Sequence, residues 1–434
     1  DSVASRGLGD VYKRQWQRGL SVMSLGEVQA SIEASGLSFQ SIQQQQTLIK
    51  SALARGVTPK FKILDTCRFN NGGLLDLTKL VTEADQSAAR GFAAFVPAAG
   101  AASRYFAPLT PLIMAIEQND LFALNASIRD LRTRGADQWP LPPQTKAILL
   151  SATPVTELSE DTRSSLLREL SRPKALMPCV LEGHSFLQLK LIEHQKMPGL
   201  EGQVFVTPPG YTQEFKDECQ RKKVELTTPS LPTGYVEQGP QLSTIRFHRN
   251  GAPVRETDGG ISVVPAGHGA LASLFGEVRH TAPSADAVFI RNIDNVNGTG
   301  KAVADITAKF LTAHRKTIEV FRGIRKALAQ DNFDQAAEYA GALLVASPTK
   351  TQHHDTSIDS RLQQISDPAE KRLWELLLTV VHAPRPAQLT RDQLLSFYSR
   401  PVNLLGQVPN TTKDVGGTPC FVTTDYGTVK VCLE

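Results

Sequence analysis

The amino-acid sequence predicts an α/β protein built on a mostly parallel, doubly wound sheet. Two observations predict it. Short apolar runs alternate with segments of helical periodicity between residues 92 and 291, and alternating β and α elements favour parallel strands with helices packed on them. Two of those runs, 92–96 and 287–291, open directly into loops of small or Asx residues. The carboxyl ends of strands are where open α/β sheets bind ligands.

Residues 24–56 are polar with aliphatics at helix-like spacing, including Leu25, Val28, Ile32 and Leu37, and carry a QQQQ run at 43–46. Asn70-Asn71-Gly72-Gly73 marks a turn. The run 92–96 is a strand that ends in Pro97-Ala98-Ala99-Gly100. Residues 110–171 form an all-helical block, with Asn119 or Asp120 as a cap, Gly135 as a stop and Pro173 closing its last helix. So long a connection is a subdomain and not a plain loop. Helices are predicted at 185–197 and 211–222, and strands at 203–206, 243–247, 261–264 and 287–291. Helical patterns follow at 301–346 and 368–384, and the Gly-rich tail from 400 is β-like.

The expected organisation is therefore a leader at 1–15, a helical region at 16–90, an α/β domain at 91–300 with a helical insertion at 107–171, a helical region at 301–390, and a β-rich segment at 391–434. The leader, SVASRGLGDVYKRQ after Asp1, resembles translated adapter sequence foreign to the fold, which makes Met23 the expected start. The terminal VKVCLE is expected to be a strand cut short by truncation.

The formal net charge is +4, with Lys and Arg dispersed, which argues against nucleic acid and suits small phosphorylated ligands. No apolar run approaches the roughly 18 residues of a membrane span. The five cysteines are odd in number and none is spaced CxxC, so free thiols in a reducing cytoplasm are expected.

Four segments carry candidate chemistry. In Pro97-Ala98-Ala99-Gly100-Ala101-Ala102-Ser103-Arg104, tiny side chains let backbone N–H groups approach a phosphate, and Arg104 can grip its oxygens in a fork; the same residues also suit a packed turn. In Arg172-Pro173-Lys174, proline fixes the backbone before a lysine that offers a compact positive charge, or simply a solvated helix end. In Pro265-Ala266-Gly267-His268-Gly269, glycines flank a histidine, as where backbone passes close to a ligand. In Arg291-Asn292-Ile293-Asp294-Asn295, a strand delivers a carboxylate able to hold Mg²⁺ bridged to phosphates, or an Asx turn satisfies local backbone. Gly298-Thr299-Gly300-Lys301 lacks the pattern of a P-loop, Gly183–Leu187 lacks the second glycine of a nucleophile elbow, and His353-His354 has no metal-spaced partners.

Taken in order, FVPAAGAASRYF, RPKALMPC, EGHSFLQLKLIEHQ, VVPAGHGALASLF and VFIRNIDNV resemble the bacterial DUF4301 family. More distantly they are similar to UDP-sugar pyrophosphorylases of the UTP–glucose-1-phosphate uridylyltransferase type. The resemblance implies a GT-A-like nucleotidyltransferase fold that transfers a nucleotidyl group from UTP to a sugar phosphate with Mg²⁺. It places Ala98, Ala99, Gly100, Ala101, Ala102 and Ser103 around the triphosphate and Arg104 on its outer phosphates. Lys174 would lie near the α-phosphate, Gln238 would read the base, Gly267 and Gly269 would admit it, His268 would face the α-phosphate or sugar, and Asp294 would hold the metal. The gap between Gly100 and Lys174 is longer than in the pyrophosphorylases, and alanines stand where their loop has glycines. A non-catalytic nucleotide- or sugar-nucleotide-binding protein on the same fold is the alternative.

Overall fold

The computed structural model describes residues 25–54, 62–81, 90–100, 107–136, 139–179, 183–225, 231–248, 250–256, 259–296, 300–346, 356–384, 386, 388–406, 417–424 and 427–433. In chain order the elements are α1 (Leu25–Ala34), α2 (Phe39–Ala54), β1 (Lys62–Thr66), β2 (Phe92–Pro97), α3 (Thr110–Glu117), α4 (Leu121–Thr133), α5 (Pro143–Leu150), α6 (Glu160–Leu170), α7 (Phe186–Gln195), β3 (Leu200–Thr207), α8 (Thr212–Glu225), β4 (Thr233–Glu237), β5 (Ser243–Ile245), β6 (Val263–Pro265), α9 (Gly276–Thr281) and β7 (Ala287–Ile290). Then follow α10 (Lys301–Ala329), α11 (Phe333–Ala346), α12 (Thr356–Leu362), α13 (Pro368–Glu375, continued by a π-helical turn), α14 (Arg391–Tyr398), β8 (Thr418–Thr424) and β9 (Gly427–Leu433). They fall into two compact units: residues 1–57 with 238–273, and residues 58–237 with 274–434.

The second unit holds a four-stranded sheet in the order β4-β3-β2-β7, parallel throughout. Its central strand, FAAFVP, is buried at every position. A strand covered on both faces gains from apolar residues everywhere, which is why it shows no alternation. On one face Phe92, Ala94 and Val96 share a core with Leu187 and Leu191 of α7, Phe215 and Cys219 of α8, and Leu311 of α10. On the other, Phe95 meets Phe275 edge-on with centroids 4.9 Å apart. There α9 crosses β4 so closely that a Cβ at Gly234 would lie 2.3 Å from the Thr281 hydroxyl. The chain runs from β2 through β3 to β4 on one side, then returns to add β7 on the other side of β2. The strand order therefore reverses between β2 and β7, a topological switch point of the kind at which open α/β sheets bind ligands.

The helical block between β2 and α7 has its own core, with Leu112, Ile116, Leu124, Leu131, Leu149 and Leu166 among its buried residues. Asp120 caps α4 by accepting from Ala123 N, and Gly135 follows that helix at φ 72°. A further helical core, around Trp374 and Tyr398, joins α10, α11, α13 and α14. β1, β8 and β9 form a three-stranded antiparallel sheet. No helix among the described residues is long and apolar enough to cross a membrane.

In the first unit, α1 and α2 pack Ile32, Leu37 and Ile42 against Ile245 and Ile261. Two of the glutamines tie down the partner segment: Gln46 donates to Gly251 O at 2.8 Å, and Gln45 accepts from the Thr244 hydroxyl at 2.8 Å.

Three expectations change. The strands at 243–247 and 261–264 do not extend the parallel sheet: β5 and β6 pair antiparallel with each other, continued by bridges Phe247–Pro253 and Arg255–Ile261. A partner reachable through a local turn outcompetes a distant edge. The region 16–90 is not purely helical, because β1 pairs with β8. The segment 391–434 opens with a helix, α14, capped by Thr390. The leader at 1–15 lies outside the described residues.

Candidate functional site

Lys174 reaches its place through proline. Pro173 sits at φ −54°, ψ 143°, breaking the chain away from α6 into a 3₁₀ turn, Lys174–Leu176. Ala175, Leu176 and Met177 are buried in the sheet's core, which leaves Lys174 as the residue turned outward. Its Nζ stands 5.2 Å from the centroid of the Phe186 ring.

Asp294 is set by the turn that follows β7. Ile293 is buried and its N–H donates to Pro97 O at 3.3 Å, fastening the turn to the end of β2. Asn295 N donates back to Asn292 O at 3.1 Å. From this turn Asp294 Oδ2 meets Lys174 Nζ at 2.9 Å, across 120 residues of chain. Ala98, buried, closes the end of β2 by donating to Val206 O at 3.0 Å. The loops after β2 and β7 and the α6–α7 connection therefore meet at the switch point.

Beneath the Asp294 turn lies a group of buried ionisable side chains that sequence reasoning passed over. The Lys190 side chain is fully buried and donates to Asn295 O. Arg291 donates to the same carbonyl and pairs with Glu193 at 3.1 Å, while Lys190 lies 3.5 Å from that carboxylate. Burial, reinforced by the nearby Arg291 charge, pushes the Lys190 ammonium down to about 7. Burial also lowers the Arg291 guanidinium, opposed by Glu193. His194, fully buried, is driven down to about 3, first by desolvation and then by Lys190. It is neutral: Nδ1 contacts Gln203 Oε1 at 2.8 Å, and Gln203 donates to the Thr233 hydroxyl at 3.1 Å. The signal was present in FLQLKLIEHQ, where Lys190, Glu193 and His194 sit at i, i+3 and i+4 on one face of the helix. Ser185, in the rejected nucleophile-elbow segment, is the N-cap of α7 in a reciprocal capping box with Gln188.

Of the residues singled out from sequence, Lys174 and Asp294 are in direct contact and Ala98, Ala99 and Gly100 follow the neighbouring strand. Ala101, Ala102, Ser103 and Arg104 lie outside the described residues, as do His353 and His354. Gln238, Gly267, His268 and Gly269 belong to the first unit. Gln238 directly follows β4, and His268 opens a 3₁₀ helix, His268–Phe275. A Cβ built at Gly100, Gly267 or Gly269 would meet nothing within 4 Å. The fold itself therefore makes no steric demand for glycine at these three positions. Among the described residues no three His, Cys, Asp or Glu side chains gather into a site that could hold a metal ion.

A family model described as "Domain of unknown function (DUF4301)" matches residues 201–433, from β3 to β9. The match spans more than half of the chain and includes Asp294. No curated protein matches the chain.

Proposed function

The chain belongs to the DUF4301 family, and from that premise we propose that it is a nucleotidyltransferase on a GT-A-like fold, transferring a nucleotidyl group from a nucleoside triphosphate, UTP by resemblance, to a sugar phosphate. The observation that carries the proposal is the Lys174–Asp294 pair at 2.9 Å, placed at the switch point of a parallel sheet. A cation and a carboxylate converging there, from segments 120 residues apart, suit a phosphate-binding crevice. The open space at Gly100, in the loop that follows β2, supports it too, because a small residue without a packing reason leaves room for a ligand.

The chemistry requires no protein nucleophile. An acceptor phosphate oxygen attacks the α-phosphorus, a new O–P bond forms, and the bond to the β-phosphate oxygen breaks. Pyrophosphate leaves with the electron pair. The protein's part is position and charge. Lys174 would turn from Asp294 to the α-phosphate oxygens, and backbone N–H groups of Ala99 and Gly100 would cradle the outer phosphates; the Ala98 N–H, bonded to Val206 O, is not available for that role. Lys190 and Arg291, by holding Asn295 O, would keep the Asp294 turn in place.

The donor set at Asp294 fits Mg²⁺ in one specific way. A lone carboxylate suits an ion that keeps several waters and is shared with substrate phosphates, and it does not suit an all-protein cage. When bound, the ion would neutralise phosphate charge.

One observation favours the alternative, a nucleotide-binding protein without turnover: Lys174 and Asp294 neutralise each other as they stand. Pyrophosphate release from a panel of nucleoside triphosphates and sugar phosphates separates the two. Release that needs both substrates is expected; nucleotide binding without release would replace transfer with the non-catalytic reading.

A further inference from the structure

The helical insertion carries a cleft of its own. It measures about 370 Å³, within the range that small ligands occupy. Its walls come from α5 and α6 of the insertion and from the start of α8, and its lining has no aliphatic side chain. Such a wall, with Tyr211 as its one ring, suits a polar ligand better than a lipid tail.

The charges in it are not equivalent. Arg168 is exposed, one turn from Arg172 on the same side of the chain as it leaves α6. Glu169 is committed elsewhere: its carboxylate accepts from Thr145 N at 3.1 Å and from the Thr145 hydroxyl at 3.2 Å, at the start of α5. That leaves Glu214, which meets Arg172 at 3.4 Å. This distance is longer than a strong charge-assisted contact, and the pair is half-exposed. Two guanidiniums thus share the cleft with two carboxylates: Glu169, anchored to the start of α5, and Glu214, the one that faces a guanidinium and is loosely held. The remaining lining, Gln144, Ser165 and Tyr211, supplies neutral donors and acceptors.

Position ties this cleft to the switch point. Tyr211 lies in the loop leaving the carboxyl end of β3, beside the loop that leaves β2. Arg172 is separated from Lys174 only by the buried Pro173. We propose that this cleft is the acceptor subsite, taking a phosphorylated polyol: Arg168 and Arg172 hold the phosphate, and Glu214, Gln144 and Ser165 hold hydroxyls. Its role as acceptor subsite rests on the nucleotidyl-transfer reading; its capacity to bind does not. The inference also gives the long insertion between Gly100 and Lys174 a task, as the wall that supplies the second substrate's contacts.

The test is calorimetry on the full chain, without nucleotide, using a panel of hexose 1-phosphates with inorganic phosphate alongside. At least one hexose 1-phosphate is expected to bind saturably and at least tenfold tighter than inorganic phosphate. Arg168→Ala and Arg172→Ala should each weaken it about tenfold to a hundredfold, the loss of a hydrogen bond to a charged group. Arg134→Ala, which removes an exposed pair with Asp130 on the same insertion, should leave it unchanged. Arg168 is exposed, so its variant folds even if Arg172→Ala does not. The proposal is overturned if no member of the panel binds, if inorganic phosphate binds as tightly, or if both arginine variants bind like the parent chain. Arginine-dependent binding without pyrophosphate release would keep the cleft and remove the transfer reading; release that ignores Arg168 would do the reverse.

Discussion

Replacing Lys174 with alanine separates a binding residue from a structural tie, because the two roles carry different magnitudes. The ion pair with Asp294 is short, at 2.9 Å, but the side chains are 16% and 42% exposed. Water and salt screen such a pair, so its contribution to stability is at most about 1 kcal/mol. The ammonium over the Phe186 ring, at 5.2 Å, adds about 0.5–1 kcal/mol. Asp294, left behind, is hydrated and not stranded. The total structural loss is therefore about 1–2 kcal/mol, a fall of a few degrees in Tm. If Lys174 stabilises charge on a transferring phosphate, the same substitution costs on the order of 10²-fold or more in rate. Thermal unfolding and pyrophosphate release, measured on the same preparation, should give a small shift in Tm with a collapse in turnover. Turnover within threefold of the parent chain, together with a Tm lower by more than about 10 °C, would refute the reasoning and make Lys174 a structural tie.

Two further outcomes concern the buried group under the Asp294 turn. His194 is depressed from 6.5 to about 3 by burial. The unfolded chain therefore takes up this proton before the folded one does. The resulting stability is fully present above pH 6.5 and declines as the pH falls toward 3, by about 1.4 kcal/mol per pH unit. Urea midpoints between pH 7 and 4 should show this slope, and His194→Gln should lessen it by one proton; equal slopes would rule out the assignment. Arg291→Leu deprives the buried Glu193 carboxylate of its guanidinium at 3.1 Å and should cost about 3–5 kcal/mol, read from denaturant unfolding. A loss below 1 kcal/mol would mean the pair is not the constraint described.

What the sequence disclosed and what it hid follow from the range of the interactions. β2 and β3 were legible because their apolar runs report burial on both faces, and β7 because AVFI is apolar throughout although, at the sheet's edge, it is only half-buried. β4 escaped because TGYVE is half-buried at four of its five positions and carries a glycine whose reason, the crossing of α9, lies 47 residues on. β1 escaped because its partner β8 is more than 350 residues away, and no local pattern encodes that pairing. Lys174 and Asp294 were identified by residue type and loop position, yet their contact is a property of the fold alone. The buried Lys190, Glu193 and His194 were the reverse case: their helical spacing was visible, but a helix with three ionisable residues on one face reads as ordinary amphipathicity until burial is known.

The central claim, that the switch-point crevice receives a nucleoside triphosphate, is tested most directly by titrating the full chain with UTP in the presence and absence of Mg²⁺, beside the Asp294→Ala variant. The expected result is saturable binding at one site, tightened about tenfold or more by Mg²⁺ in the parent chain and not in the variant. Absence of binding by UTP and by every other nucleoside triphosphate at millimolar concentration would contradict it.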